Sequence, residues 1–459
     1  MKLVFKFLPT LLLLVIMPQI TMAYDFKEGG LCYNVNQDGK SVTMTYEHLI
    51  MFAFDAPAPK EKGYEGNISI PREVKHEGKT YMVTAVDRGA FSCNSDLIRV
   101  YMPASVKTIG SEAFSNCYSL KEVILPPGLT KISDYMFNES GLQTLVIPQK
   151  VKTIGTSAFV SSSLKSIDIP NSVETIEKSA FSGCRWMKSV TLGDNVKTIG
   201  EAAFSICTDL KSITLPASLK EIGPKAFYEC SGLESIVIPV MVSSIGDGAF
   251  GSCHGLTSIT VDKKNKQYDS RDNCNAIIET ATNRLVAGCN GAKIPESVIE
   301  IGNEAFYGCD GFTTIDIPSS VTSIGNQAFF YCKNLKEINI PTSVETIGER
   351  AFCGCDSLEN VVIASSVKSI GYGAFLHDDH IKAVTIGGGV TSIGGWAFKG
   401  LDAVKSITSK IADPSSVKMG QDVFDEIDKQ NCVLYVPRGT AASYKAAPQW
   451  KVFENIVEQ

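Results

Sequence analysis

The chain has 459 residues, of which 44% are hydrophobic, and it carries a formal net charge of −6 with a pI near 5.6. This acidic balance argues against a nucleic-acid partner, because nucleic-acid-binding proteins usually present a basic face. The length would ordinarily indicate about three domains. An internal repeat replaces that expectation, since a single solenoid grows by stacking neighbouring units.

The first residues are typical of a secretory signal peptide. Lys2 and Lys6 precede an apolar run, Leu8–Met17. Small residues at the −3 and −1 positions predict cleavage before Tyr24. Residues 1–23 would then be removed on export. The alternative is an uncleaved anchor, but the apolar run is shorter than the roughly 20 residues that a membrane-spanning helix needs. We expect a soluble mature chain without membrane insertion, secreted or at the cell surface, with the periplasm as the other possible location.

Residues 24–84 do not fit the repeat and predict a β-rich amino-terminal cap. Leu31–Val35 and Ser41–Tyr46 alternate as strands do, and Asp38-Gly39 between them is a hairpin-turn signal. Such a cap is needed because a solenoid must cover the core face of its first unit.

A unit of 22–23 residues follows, in two parts at 85–261 and 294–401. The unit has two apolar residues at alternate positions, a proline, an Ile-Gly pair and an Ala-Phe pair, so it predicts a short strand closed by proline and then turns that bury the phenylalanine. A period in this range is the signature of leucine-rich-repeat solenoids. The marker phenylalanines are Phe91, Phe114, Phe137, Phe159, Phe181, Phe204, Phe227, Phe250, Phe306, Phe329, Phe352, Phe375 and Phe398.

The glycine that follows isoleucine in many units indicates close packing or ordinary turn geometry rather than a positive φ. Asp87, Ser133 and Glu177 occupy the same register in other units, and glutamate would tolerate a positive φ poorly.

The cysteines predict a row of buried free thiols rather than a disulfide framework. Most lie three residues after a marker phenylalanine, and Cys93 lies two after Phe91, so stacking would align them. Bridges between stacked units are the alternative, although parallel Cβ vectors fit a disulfide poorly. The row consists of Cys93, Cys117, Cys184, Cys207, Cys230, Cys253, Cys309, Cys332 and Cys355.

One interval between markers is much longer than the others, from Phe250 to Phe306, and residues 262–293 predict a hairpin-like insertion. Its strands would be Ala276–Glu279 and Arg284–Ala287. The insertion is either a binding feature or a decorated structural repeat. A Cys274–Cys289 disulfide across the hairpin stays open. Calcium is not supported by the acidic residues at 269–275, because the glycine and glutamate of an EF-hand are not at the required offsets.

The period ends after Leu401, and residues 402–459 predict a small α+β carboxy-terminal cap. Cys432–Pro437 has the pattern of a strand, and Thr440–Ala447 has that of a short helix.

The repeated unit resembles the BspA-like class of bacterial leucine-rich repeats over about Ala85–Leu401. The resemblance implies a β-rich α/β solenoid, a right-handed leucine-rich-repeat-like coil of about 13 units. It also implies an exported or surface protein of host-associated anaerobic bacteria. Some members of this family bind host matrix proteins or mediate attachment. This functional implication is analogy at the level of the family.

The residues themselves predict no catalytic group, no cofactor and no metal. The one cluster that invites such chemistry is His377-Asp378-Asp379-His380. It falls in the turn after Ala-Phe, where we expect an exposed polar turn, and a metal site would need a third ligand that the sequence does not identify.

The candidate partner-binding face is the outward position between the two core residues of each strand. The alternative is that Thr and Val simply suit a pleated sheet. Lysines just before the strands, at 121, 165, 188, 211, 336 and 382, are interpreted as a solvated rim. The candidate face comprises Asp168, Thr191, Thr214, Val237, Thr260, Asp316 and Asn339.

The leading hypothesis is therefore a non-enzymatic exported protein that binds a protein or glycan of a host or neighbouring cell. The alternative is a periplasmic or envelope structural protein without a foreign ligand. A carbohydrate-active enzyme is the third hypothesis, and it has no recurring carboxylate pair to support it.

Overall fold

The computed structural model describes residues 24–46 and 63–459; the predicted signal peptide lies outside the described residues. The predicted fold class is confirmed, since the chain is a β-solenoid of about 16 turns with very little helix. The helical segments are α1 (Ala441–Ala446) and three single 3-10 turns at Arg271–Asn273, Pro414–Ser416 and Trp450–Val452.

The amino-terminal strands form a sheet that merges into the solenoid. Antiparallel pairing joins β1 (Phe26–Glu28) to β2 (Leu31–Val35), β2 to β3 (Ser41–Thr45) and β5 (Glu73–His76) to β6 (Lys79–Val86). Strand β6 also pairs in parallel with both β3 and the first two-residue strand of the array. The cap therefore ends in a strand that already has the direction of the repeats. Strand β4 (Gly66–Ser69) lies outside this sheet and pairs in parallel with Leu97–Tyr101, the first strand of the face column.

Each turn supplies strands to two parallel columns. The face strands come from the segment that ends in proline, and their alternating residues are buried and exposed. They are β7 (Leu97–Tyr101), β9 (Glu122–Ile124), β12 (Ser166–Asp168), β14 (Ser189–Thr191), β17 (Ser235–Ile238), β19 (Ser258–Val261), β24 (Thr314–Asp316), β26 (Glu337–Asn339), β28 (Asn360–Ile363), β30 (Ala383–Ile386), β32 (Ser406–Ser409), β34 (Val433–Val436) and β35 (Asn455–Glu458).

The second column consists of two-residue strands, nearly all of which end at the isoleucine of the Ile-Gly pair. They are β8 (Thr108–Ile109), β10 (Lys131–Ile132), β11 (Thr153–Ile154), β13 (Thr175–Ile176), β15 (Thr198–Ile199), β16 (Glu221–Ile222), β18 (Ser244–Ile245), β23 (Glu300–Ile301), β25 (Ser323–Ile324), β27 (Thr346–Ile347), β29 (Ser369–Ile370), β31 (Ser392–Ile393) and β33 (Lys418–Met419).

A column of stacked phenylalanine rings fills the core. From Phe91 to Phe250 successive ring centroids lie 5.0–5.6 Å apart and nearly parallel. The backbone sets this spacing, because the N–H of one marker donates to the carbonyl of the residue that precedes the next marker. For example, the Phe159 N–H donates to the Ala180 carbonyl at 2.8 Å. The rings therefore stack because their turns are hydrogen-bonded in register.

The turns around each ring explain the glycines of the repeat. Gly110 and Gly223 do not have positive φ angles, and a Cβ at either would overlap the backbone of the preceding turn. The expectation of close packing is confirmed. Positive φ occurs elsewhere, immediately before the alanine and two residues after the phenylalanine, as at Glu112 (60°) and Asn116 (58°). These positions are occupied by many residue types, so the sequence did not indicate them.

The insertion between Phe250 and Phe306 is a partition inside the solenoid. Its strands are β20 (Tyr268–Asp269), β21 (Ala276–Glu279) and β22 (Arg284–Gly288), and β21 and β22 pair antiparallel as a hairpin. Ile277 and Val286 pack into the core of the preceding turns, whereas Ile278 and Leu285 pack into that of the following turns. The hairpin is thus buried on two sides, and it separates two phenylalanine stacks.

The solenoid continues past the predicted end of the period. Phe424 stacks 5.8 Å from Phe398, and β32, β34 and β35 extend the face column. The 26-residue spacing between these two phenylalanines, which includes the 3-10 turn at Pro414–Ser416, hid this unit from the sequence pattern. Trp450 and Phe453 contact Phe424 and close the core.

Replacing one stacked ring should destabilise the protein far more than changing an outward residue. Phe227 is fully buried between Phe204 and Phe250, so Phe227→Ala should lower the free energy of unfolding by about 3–5 kcal/mol. The exposed Thr214→Ala should change it by less than about 0.5 kcal/mol. Chemical denaturation measures both, and equal losses would mean that core and surface columns are wrongly assigned.

Candidate functional site

The seven predicted face residues all lie exposed on one side of the face column. Strand pairing aligns Asp168 with Thr191, Val237 with Thr260, and Asp316 with Asn339. Their neighbours along each strand are buried, which turns these side chains outward. Thr214 lies between β14 and β17, outside the strand bounds, but with the same pattern of burial.

The structure extends this row beyond the predicted residues. Lys293 is exposed between the buried Ala292 and Ile294 and precedes Pro295, which is the repeat's own strand pattern. It was missed because the segment was assigned to the insertion. We call the whole set the outer row: Tyr101, Ile124, Val146, Asp168, Thr191, Thr214, Val237, Thr260, Lys293, Asp316, Asn339, Val362, Thr385, Thr408, Tyr435 and Val457.

The outer row has little charge and a substantial apolar content. Of its members only Asp168, Lys293 and Asp316 are charged. Val146 is 85% exposed, and Val237 and Val362 are 58% and 59% exposed. A surface of low charge that exposes branched apolar side chains beside hydroxyls suits contact with a partner, because desolvating it costs little.

The predicted thiol row is largely buried. All cysteines are free, and every one except Cys93 is buried. Seven thiols of the row donate to the carbonyl of the marker phenylalanine in the preceding turn, as from Cys117 Sγ to Phe91 O at 2.9 Å and from Cys230 Sγ to Phe204 O at 3.0 Å. Cys309, which follows the hairpin, donates to Gly288 O instead. Burial raises the pKa of the Cys117 thiol to about 12. The inclusion of Cys93 in this row was wrong, because its position two residues after the phenylalanine faces solvent.

The two cysteines of the insertion are also free thiols. Cys274 Sγ donates to Ala276 O at 3.5 Å, and Cys289 Sγ donates to Asn275 O at 3.3 Å. Each thiol therefore has its own backbone acceptor within the hairpin.

The expectation of an exposed polar turn at His377–His380 is wrong for Asp378. His377, Asp379 and His380 are exposed, but Asp378 is completely buried in the register of the thiol row, three residues after Phe375. Its Oδ1 accepts the Cys355 N–H at 2.7 Å, while Oδ2 has no partner among the described residues. Burial raises the pKa of this carboxyl well above its usual range, against the lowering effect of the Cys355 N–H.

The acidic residues of the insertion are engaged within the fold. Asp269 Oδ2 pairs with Arg271 Nη2 at 2.6 Å, and this guanidinium helps to hold the pKa of Asp269 below its usual range against the opposing effect of burial. Within residues 24–46 and 63–459 no group of His, Cys, Asp or Glu side chains is arranged to hold a metal ion. In the same residues no helix has the length and apolarity to cross a bilayer.

Residues 79–164, 152–277 and 287–426 match the family model of the BspA type leucine-rich repeat region, with 6 copies. The chain belongs to the BspA-type leucine-rich repeat family. The match reaches past Leu401 and includes Phe424, in agreement with the extra turn of this BspA-type solenoid. No curated protein matches the chain.

Solved structures share this BspA-type architecture. A leucine-rich cell surface protein from Faecalibacterium prausnitzii is 28% identical with a TM-score of 0.62, over 84% of this chain and 94% of that chain. A leucine-rich repeat protein from Bacteroides ovatus is 25% identical with a TM-score of 0.59, over the same shares. The pneumococcal vaccine antigen PcpA has the same fold at 20% identity, with a TM-score of 0.59 over 95% and 98%.

Thiol labelling should separate the buried row from Cys93. In the native protein a thiol reagent at pH 8 should modify Cys93 alone, because the other thiols are buried and thiolate formation is suppressed by burial. All 14 cysteines should react after denaturation. The Cys93→Ser variant is the control, and rapid labelling of that variant, or fewer reactive thiols than expected after unfolding, would contradict a reduced, buried row.

Asp378 should make stability depend on pH. Its folded pKa lies above the unfolded value of about 3.9, so the folded state is favoured below that value and loses stability as pH rises through the folded pKa. Asp378→Asn keeps the shape without the charge, and it should raise the free energy of unfolding at pH 8 by about 1–3 kcal/mol. The gain should shrink at pH 5. Asp402→Asn, at an exposed carboxylate, is the control, and a gain independent of pH would refute the assignment.

Proposed function

We propose that this protein is a non-enzymatic exported repeat protein that binds a protein or glycan on a host or neighbouring cell. The outer row is the contact surface. The observation that carries the proposal is the alignment of exposed, mostly uncharged side chains over successive hydrogen-bonded turns. Repeat proteins commonly use such an extended sheet face for recognition.

Two further observations support a binding role over a catalytic one. The two carboxylates of the outer row, Asp168 and Asp316, are exposed and lie in separate turns of the array, so they do not form an acid–base pair. Family membership and the similarity to a leucine-rich cell surface protein of Faecalibacterium prausnitzii favour the outside of the cell. The alternative is an envelope structural protein without a foreign ligand.

Charge introduced into the outer row should abolish recognition without unfolding the protein. The triple variant Thr191→Asp, Thr214→Asp, Val237→Asp would force desolvation of unpaired carboxylates at an interface, so saturable binding to host matrix proteins or glycans should weaken by about 100-fold. Binding to an array of such molecules, followed by titration of each hit, makes this measurement.

A matched triple at exposed serine and threonine residues away from the outer row, Ser243→Asp, Ser244→Asp, Thr322→Asp, should leave binding unchanged. Equal losses in both triples would remove the outer row from consideration. No binding by a folded sample, together with resistance to protease on intact cells, would favour the envelope structural role.

A further inference from the structure

Four cations stand side by side along one edge of the face column. Lys165, Lys188 and Lys211 occupy the position just before the outward strand residues in three successive turns, and Arg185 lies in the middle turn; all four are exposed. The Lys188 N–H donates to the Lys165 carbonyl at 2.9 Å, which places these two residues in adjacent turns of one column. Stacked strands lie about 4.8 Å apart, so the positive charges are crowded. We call these residues, together with Trp186, the basic strip.

The charges of the basic strip are not neutralised by the protein. None of its four cations forms an ion pair with a described residue, although Asp168 and Asp209 are close in sequence. Farther along the same column Lys382 Nζ pairs with Glu359 at 2.7 Å. Glu234 holds the equivalent position in the turn after Lys211, but it forms no ion pair with Lys211. Crowded like charges without partners are unfavourable in isolation. On a chain of net charge −6 this concentration of positive charge favours an anionic ligand.

Trp186 adds an aromatic platform to the same strip. The side chain is 62% exposed, and it makes no ring contact with another described aromatic residue. Tryptophan offers a large flat surface at little conformational cost. Because the C–H face of a sugar ring is apolar, it can pack on such a surface by hydrophobic and dispersion contacts.

The strip continues into a shallow groove at the preceding turns. The groove is lined by Tyr118, Lys121, Gln143 and Ser163 among others, with one carboxylate, Asp96, at the turn farthest from the strip. The Gln143 carbonyl accepts the Lys165 N–H at 2.9 Å. The hydroxyl of Tyr118 is held by Asn116 at 3.0 Å and Glu139 at 3.1 Å, while the side chain remains 60% exposed. The groove therefore contributes an exposed aromatic ring held by hydrogen bonds, and the strip contributes the exposed Trp186.

We propose that the basic strip and this groove bind an anionic polysaccharide. Its carboxylates or sulfates contact Lys165, Lys188 and Lys211, and one of its sugar rings packs on Trp186. The proposal rests on the binding role proposed above and names a ligand class for it. It uses different side chains from the outer row, so each surface can be tested without the other.

Purified polymers test the proposal directly. The probes are heparin for sulfates, polygalacturonate for carboxylates, dextran as the neutral polymer and a single-stranded DNA oligonucleotide as a non-saccharide polyanion. At least one of the two anionic polysaccharides should bind, and its affinity should fall with ionic strength because the cations are exposed. Dextran should not bind. Absence of binding to both anionic polysaccharides by the folded protein would overturn the proposal.

Matched triple variants locate the site. Lys165→Ser, Lys188→Ser, Lys211→Ser should weaken polysaccharide binding by about 10-fold. Lys336→Ser, Lys382→Ser, Lys405→Ser removes the same charge from the same column in the second half of the array, where all three lysines are exposed, and should change affinity by less than about 2-fold. Equal losses in the two triples would show non-specific attraction and overturn the assignment.

Trp186 distinguishes saccharide recognition from attraction of any polyanion. Polysaccharide binding should change the fluorescence of Trp186, and Trp186→Ala should weaken it by at least 5-fold while leaving its salt dependence in place. Tight binding of DNA together with no effect of Trp186→Ala would overturn the saccharide assignment. If the polysaccharide binds but no partner of the outer row is found, the proposal for the outer row is wrong and the proposal for the basic strip holds.

Discussion

The structure depends on the hydrogen bond that the N–H of a marker phenylalanine donates to the next turn, which every marker except Phe250 forms. This bond fixes the height of one turn on another, so every other position of the repeat is also stacked on its equivalent. The rings lie 5.0–5.6 Å apart in the first stack because the hydrogen-bonded backbone holds successive turns close together. The environment of a side chain is therefore set by its position in the repeat, which decides the column it stacks in, more than by its neighbours in sequence.

The columns explain why a change at a single turn is tolerated in one place and costly in another. Cys117 and Cys230 can share one role because each thiol finds the phenylalanine carbonyl of the turn before it. Asp378 enters the same column with a carboxyl group, and only one of its oxygens is satisfied. An outward position has no such requirement, so functional variation can concentrate in the outer row without disturbing the core.

Much of this arrangement could be predicted from the sequence, because the spacing of the phenylalanines shows which residues of successive turns are equivalent. The outward direction of Thr191 and Asp316 followed from strand alternation alone. The burial of Asp378 did not, because a cluster of His and Asp residues is a surface signal by composition, and only its distance from Phe375 indicates the thiol column. Phe424 was missed for a related reason: a 3-10 turn lengthens the unit while the stacking continues.

The stacking of equivalent positions also decides which residue of the insertion joins the outer row. A hairpin buried on two sides can interrupt the phenylalanine stack, yet the chain must return to the face column before the next turn can pair. Lys293 lies at that point of return, so it joins the outer row although its sequence neighbours belong to the hairpin. The uncompensated lysines at 165, 188 and 211 all precede the hairpin, whereas Lys382 and its partner Glu359 follow it. The basic strip is therefore confined to the part of the array before the hairpin, while the low-charge outer row runs along both parts.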